Sequence, residues 1–190
     1  MARKPETTWE MLNIAMSYYQ EHIQSKTDRC SLSITDLLHV SNFKGGNASI
    51  TEPLVTLTQK ITYYETVLRK VEQRFSGKSL STLTTSELST LVSLCDELLA
   101  LTTKNSSKIR GVGPSYASAI LAAHHLNLIP VLDRRALNGA GIAVKKDRQN
   151  QVKEIASHYG ELIRAFHTEL TSRPELSVRQ LDKEWFSANL

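Results

Sequence analysis

The segment Ile109-Arg110-Gly111-Val112-Gly113-Pro114 joins residue types that can hold a phosphate by its oxygens. Gly111 suits a left-handed backbone position that a β-carbon would oppose. Gly113 suits a helix N-cap and Pro114 the first helical position, where no amide hydrogen is needed. The amides of Ser115 and Tyr116 then face outward at a helix start with no partner inside the helix. Such a start attracts anions through unsatisfied N–H groups and the helix dipole. Val112 is the apolar tip that packs the turn down, and Ala117 is small enough to let two helices approach. Lys104, Lys108 and Arg110 lie on the incoming side, within reach of flanking phosphates. The competing reading is an ordinary corner between two helices, with glycines for geometry alone.

A second polar constellation lies eighteen residues after Ser115, where Asp133 follows Ile129-Pro130-Val131-Leu132 and precedes Arg134-Arg135-Ala136-Leu137. An aspartate there is a good N-cap for a short helix, and a cap also fixes the direction of its carboxylate.

Charge is concentrated around these motifs. Residues 1–103 carry 10 Lys/Arg and 11 Asp/Glu, residues 104–153 carry 9 and 2, and residues 154–190 carry 4 and 6. The whole net charge of +4 therefore comes from the middle window. Such a window is either a solvated basic face or the electrostatic footprint of a polyanion binder.

Other chemistry-bearing residues have plainer readings. Two cysteines, Cys30 and Cys95, cannot alone hold a structural zinc or an iron–sulfur cluster, and Cys95 reads as core. His124 and His125 close an alanine-rich helix, one of them facing solvent near the negative end of the dipole. Lys145-Lys146-Asp147-Arg148 reads as a solvated loop or a phosphate contact. Phe43, in the loop Asn42-Phe43-Lys44-Gly45-Gly46-Asn47, reads as a core anchor or as a wedge. Tyr18, Tyr19, Tyr63 and Tyr64 read as core or rim.

The elements that must position these residues are helical throughout. Apolar residues at spacings of three and four predict helices from about Thr8 to Gln24, from Ser33 to Phe43, and to Phe75 from an entry at Thr51-Glu52-Pro53, with a Thr51 hydroxyl for the cap, an early acid, and proline in the first turn, where no amide hydrogen is needed. Further helices are predicted over Thr85–Thr102, over Tyr116–Leu126, over Gln149–Leu170, and from Ser177, whose Gln180 gives a capping-box spacing. The expectation is an all-α bundle of about eight helices, one domain over residues 1–190, with a helix-hairpin-helix and aspartate turn at about 104–137. No stretch is long and apolar enough to suggest a membrane span. The start, Met1-Ala2-Arg3-Lys4-Pro5-Glu6, has no apolar run behind its charges, so an intracellular protein is expected.

In Gly111-Val112-Gly113-Pro114-Ser115-Tyr116-Ala117-Ser118-Ala119-Ile120-Leu121 and Ile129-Pro130-Val131-Leu132-Asp133 the chain resembles the helix-hairpin-helix DNA glycosylase superfamily. That resemblance is firm from Ile109 to Arg135 and architectural elsewhere. It implies two helical lobes with a cleft between them, double-stranded DNA as partner, and a target nucleotide flipped from the stack. It implies that Asp133, ionised, stabilises the positive charge developing on the sugar as the base departs, and orients or deprotonates water. The amides of Gly111, Gly113 and Ser115 would hold the phosphate beyond the flipped nucleotide, and Arg134 and Arg135 would clamp others. Bifunctional members carry a nucleophilic lysine where this chain has Ser115. The resemblance is therefore closest to monofunctional adenine-mismatch enzymes, needing no metal or organic cofactor and leaving an abasic site without strand cleavage. Two features depart from the family: no four-cysteine cluster motif follows, and no glutamine-rich helix supplies an adenine-protonating glutamate. A non-catalytic DNA-binding module using Asp133 only as a cap, and a helical module meeting an acidic protein partner, are the alternatives.

Overall fold

The computed structural model describes residues 8–45, 50–149 and 151–187. It is all-helical, with eight α-helices among the described residues: α1 (Trp9–Ser25), α2 (Ile34–Phe43), α3 (Leu54–Phe75), α4 (Thr85–Leu101), α5 (Pro114–His124), α6 (Arg134–Gly139), α7 (Tyr159–Ser172) and α8 (Val178–Ser187). Extended pairing among these residues is limited to one isolated antiparallel bridge, Lys146 to Val152.

Caps mark most helix starts. Thr8 accepts from the Met11 N–H, and Ser33 and Thr84 form capping boxes with Asp36 and Glu87. Ser177 and Gln180 reciprocate in the same way ahead of α8. Each device satisfies N–H groups that would otherwise lack a partner at the helix start.

Two expectations about elements are corrected. The start of α3 is not capped by a Thr51 hydroxyl with Pro53 inside the helix. Pro53 itself is the N-cap, and it makes no side-chain cap bond. The helix expected from Gln149 to Leu170 begins only at Tyr159. Ahead of it, the Asp147 carboxylate accepts the Gln149 and Gln151 N–H groups in a tight turn. Glu154 then takes a left-handed conformation at φ 51°, and a 3-10 turn runs from Ile155 to His158. An aspartate that captures nearby amides competes with helix formation, which periodicity alone does not register.

Helix α5 runs through the middle of the molecule, against α1, α2 and α4. Every residue from Ala117 to Ala123 is buried. A helix apolar all round belongs inside a core, and its alanines permit the close approach that the other helices need. Around it the core collects Tyr19, Tyr64, Phe166, Leu98 and Cys95, all essentially inaccessible. At the far side α6 lies tightly on α8. A β-carbon at Gly139 would stand 2.3 Å from the Trp185 Cβ.

Candidate functional site

Between α4 and α5 the chain makes one helical turn at 104–108, where Lys108 N–H donates to the Lys104 carbonyl at 2.7 Å. A tight turn follows, closed by Val112 N–H donating to the Ile109 carbonyl at 3.1 Å, with Gly111 at φ +87°. Ile109 and Val112 are buried and hold the turn against the core, while Lys108, Arg110 and Gly111 are exposed. Gly113 is the N-cap of α5 in extended conformation, and Pro114 opens the helix. Nothing lies within 4 Å of where a Gly113 β-carbon would be. The space in front of this helix start is therefore open.

One detail differs from expectation. The Tyr116 N–H donates to the Gly113 carbonyl at 3.0 Å, so it is spent within the first turn. Of the two amides expected to face outward, only that of Ser115 is left for an external anion.

The turn is braced from α3. Glu52 Oε1 accepts the Arg110 N–H at 2.9 Å and the Lys60 ammonium at 2.8 Å. Lys60 also donates to the Lys108 carbonyl at 2.6 Å. Nothing in the spacing of the sequence ties positions 52 and 60 to the hairpin.

Asp133 is positioned by three backbone anchors. Ser118 Oγ of α5 accepts the Leu132 N–H at 2.9 Å, and the buried Tyr159 hydroxyl of α7 donates to the Pro130 carbonyl at 2.8 Å. Asp133 Oδ1 then accepts the Ala136 N–H at 2.8 Å as the N-cap of α6. Its second oxygen, Oδ2, faces the Lys44 ammonium at 3.8 Å. That carboxylate is 28 % exposed, against 16 % for the lysine side chain. Capping thus leaves half of the carboxylate available at a surface.

That surface is a cleft of about 450 Å³ whose walls include Asp133, Lys44, Ser115, Phe43 and Gln151. Its volume falls in the range of sites that take small molecules or single residues. Asp133 and the start of α5 therefore open onto one space. Arg134 and Arg135 also border it, but Arg135 does not extend freely into solvent. Its guanidinium lies 4.0 Å over the Phe186 ring, which stands edge-on to Trp9. Expected as a phosphate clamp, Arg135 is primarily a wall residue that carries a charge. Phe43 is buried as a core anchor and borders the cleft. Residues 46 and 47 of its loop lie outside the described residues.

Behind Asp133 sits a charged cluster that sequence reasoning missed. Arg179 Nη1 donates to Asp182 Oδ2 at 2.7 Å, and its guanidinium stacks 4.0 Å over Trp9. Burial and the nearby charge of Asp133 push the Asp182 carboxyl up to about 7. Burial also lowers Arg179, against the pull of Asp182 and Asp133. Arg179 and Asp182 pair at i,i+3 within α8, but they lie far from the hairpin in sequence and no spacing rule places the pair near Asp133.

The basic run at 145–148 is also placed. Its turn brings Gln151 and Val152 to the cleft wall, with Lys145, Lys146 and Arg148 at the surface beside them. The adjacent histidines are not solvent-facing. His125 is buried, and His124 Nε2 lies 3.0 Å from the Arg29 carbonyl. Burial takes His124 down to about 3 and lowers His125, so both are neutral at ordinary pH. They border a larger cleft of about 640 Å³ at the opposite end of α5, away from the hairpin.

Among the described residues no group of three His, Cys, Asp or Glu stands together to hold a metal ion. Cys30 and Cys95 are free thiols, both buried. No described helix is long and apolar enough to cross a membrane. No protein-family model, curated protein or solved structure matches the chain.

Proposed function

We propose that the chain binds double-stranded DNA through the turn at 109–113 and the start of α5, and hydrolyses the N-glycosidic bond of a flipped base in the Asp133 cleft. The observation that carries this reading is the sharing of one cleft by the half-exposed Asp133 carboxylate and Ser115 at the start of α5. A phosphate held at the Gly113 and Ser115 amides would set the adjoining sugar before Asp133. Lys108 and Arg110, exposed on the hairpin, meet neighbouring phosphates and add a salt-dependent, sequence-independent grip. The basic residues at 145–148 extend that grip along the cleft.

In the cleft the carboxylate stabilises the cation that develops on the sugar as the base leaves, and directs water to it. The Ala136 N–H fixes the plane of the carboxylate before reaction, so little reorganisation is needed at the moment of bond cleavage.

The test is affinity for a duplex carrying a cationic pyrrolidine abasic analogue, against plain duplex, over a range of salt. The analogue mimics the charged sugar without a guess at the base. Asp133→Asn keeps an oxygen to cap α6 while removing the charge, so it separates the catalytic from the structural role. A preference for the analogue that disappears in Asp133→Asn supports hydrolysis. Equal, salt-sensitive binding of both duplexes supports a DNA-binding module without catalysis. Failure to bind either duplex overturns the reading.

A further inference from the structure

We propose that Arg179 and Asp182 are a positioning pair for Asp133, in which a proton on Asp182 decides how much of the Arg179 charge faces the Asp133 cleft. Protonated, Asp182 leaves Arg179 a full cation behind Asp133, and the pull of the site on a positive sugar is blunted. Ionised, Asp182 takes up that charge, and Asp133 is left to face a cation undiminished. The inference rests on the reading above that Asp133 meets a positive charge developing on a deoxyribose. It adds to that site a second carboxylate, which lies outside the cleft.

Arg179 and Asp182 are neighbours on one face of α8, with Arg179 Nη1 donating to Asp182 Oδ2 at 2.7 Å. Asp182 is buried, and it shares a small cavity with Met16, Ala122, Leu126, Pro130 and Val131. Those neighbours carry no charge, and Val131 stands two residues before Asp133 on the same short segment. The Arg179 guanidinium stacks 4.0 Å over Trp9 and lies 5.5 Å from the centroid of Phe43. Phe43 borders the cleft, and the Lys44 ammonium that faces Asp133 lies 5.8 Å from the same centroid. One ring thus carries both the cation of the cleft and the cation behind it. Arg179 Nε and Nη2 are buried without a hydrogen-bond partner among the described residues, so the direct bond from this guanidinium goes to Asp182.

Charges in so apolar a setting are weakly screened, so a proton gained or lost at Asp182 is felt at Asp133. The charged groups that face Asp182 are Arg179 on α8, Asp133 at the cap of α6 and Lys44 at the C-cap of α2. Helices α1 and α5 present only Met16 and Ala122 to its cavity. From α6, Arg135 is turned onto Phe186, and from α7 the charged contact with α8 is the surface pair of Arg173 with Glu184. Burial and the charge of Asp133 raise the Asp182 carboxyl, Arg179 and Lys44 lower it, and the balance falls at about 7. Both carboxylates pull on the one guanidinium, against its burial. A cation arriving before Asp133 therefore favours the ionised form of Asp182, and a higher pH favours the bound cation by the same amount.

The experiment measures affinity of the whole chain for a duplex with the cationic pyrrolidine analogue and for one with a neutral tetrahydrofuran analogue, from about pH 5.5 to about pH 8.5 at fixed salt. The ratio of the two affinities isolates the charge at the sugar, because both duplexes meet the same phosphate contacts and the pyrrolidine nitrogen keeps its proton throughout. The wild-type ratio is expected to rise at least about threefold from the acid to the alkaline end. Asp182→Asn fixes the pair in its protonated form, so its ratio stays flat at the acid value of the wild type. Arg179→Gln removes the cation behind Asp133, so its ratio is also flat but lies at or above the alkaline value. Thermal melting checks both variants, and a fold merely disturbed would lower the ratio in both. Opposite displacement of the two is therefore the signature of the pair. A wild-type ratio above one that is constant with pH, or an equal rise in Asp182→Asn, overturns the inference and leaves the role of Asp133 intact. Displacement of Arg179→Gln in the same direction as Asp182→Asn overturns it as well. Equal wild-type binding of the two duplexes at every pH removes the hydrolytic reading and this inference with it, and failure to bind either removes DNA binding too.

Discussion

Glu52 Oε1 accepts the backbone N–H of Arg110 at 2.9 Å, across 58 positions of sequence. The same oxygen holds the Lys60 ammonium, which in turn donates to the Lys108 carbonyl. The exposed turn is thus pinned by a half-buried carboxylate on the segment leading into α3. Glu52→Ala removes a charge-assisted bond to the backbone and leaves Lys60 short of its partner. The expected cost is about 1.5–3 kcal/mol of stability by urea unfolding. Duplex affinity should also fall, because the hairpin loses its brace. An unaltered unfolding midpoint would show the brace to be dispensable.

Gly113→Asp separates folding from anion binding. The position is an N-cap with extended backbone and open space around the missing β-carbon. Aspartate is among the better N-cap residues, so thermal stability should be kept or slightly raised. Its carboxylate would sit where a phosphate is expected. Duplex affinity should fall at least about tenfold, with a shallower dependence on salt. Retained affinity at retained stability would remove the start of α5 from the interface.

Asp182 predicts a pH dependence of stability. Its folded carboxyl is raised by burial and by the charge of Asp133 to about 7, above its ordinary value of 3.8. The unfolded chain therefore releases this proton first as pH rises. Stability contributed by neutral Asp182 is complete below about pH 4 and is lost between about pH 4 and about pH 7. Asp182→Asn abolishes that loss, whatever fixed cost it imposes by leaving Arg179 without a carboxylate. The melting temperature of wild type minus that of the variant should fall as pH rises through this window. Taking the difference cancels the contributions of the buried neutral histidines, whose lowered values destabilise the fold in the opposite direction, on acidification. A flat difference would show that Asp182 does not titrate in this range.

Gly139→Ala tests the contact of α6 with α8. The added carbon would meet the Trp185 Cβ at 2.3 Å and its Cα at 2.8 Å. Backbone on both sides must then move, and a loss of about 1–3 kcal/mol or more is expected. Because α6 is capped by Asp133, the displacement should also disturb the cleft. A variant as stable as wild type would mean that α6 and α8 separate easily.

What the sequence disclosed and what it withheld divide along the range of the interactions involved. Caps such as Ser33 with Asp36 and Thr84 with Glu87 act over three residues, and the helix starts read from local spacing carry them. The positive φ of Gly111 and the N-cap role of Gly113 were legible for the same reason. Residues 149–158 were misread because Asp147 and Glu154 act on backbone geometry without disturbing the apolar period that suggested a helix. Lys44 and Glu52 were missed because each meets its partner only through packing of distant elements, and the Arg179–Asp182 pair, local to α8, was missed because only packing brings it to Asp133. Arg135 was named for its charge, but its stacking on Phe186 depends on where α8 falls.

The cleft draws its walls from the first and the last of the described helices in chain order, Leu12 on α1 and Phe186 on α8. During synthesis the hairpin, the capped aspartate and the lysine all leave the ribosome before α8 does. A nascent chain can therefore display its phosphate-binding turn early, while the chamber around Asp133 stays unwalled on one side. Translation order therefore sets completion of this chamber after the hairpin and Asp133 have already emerged.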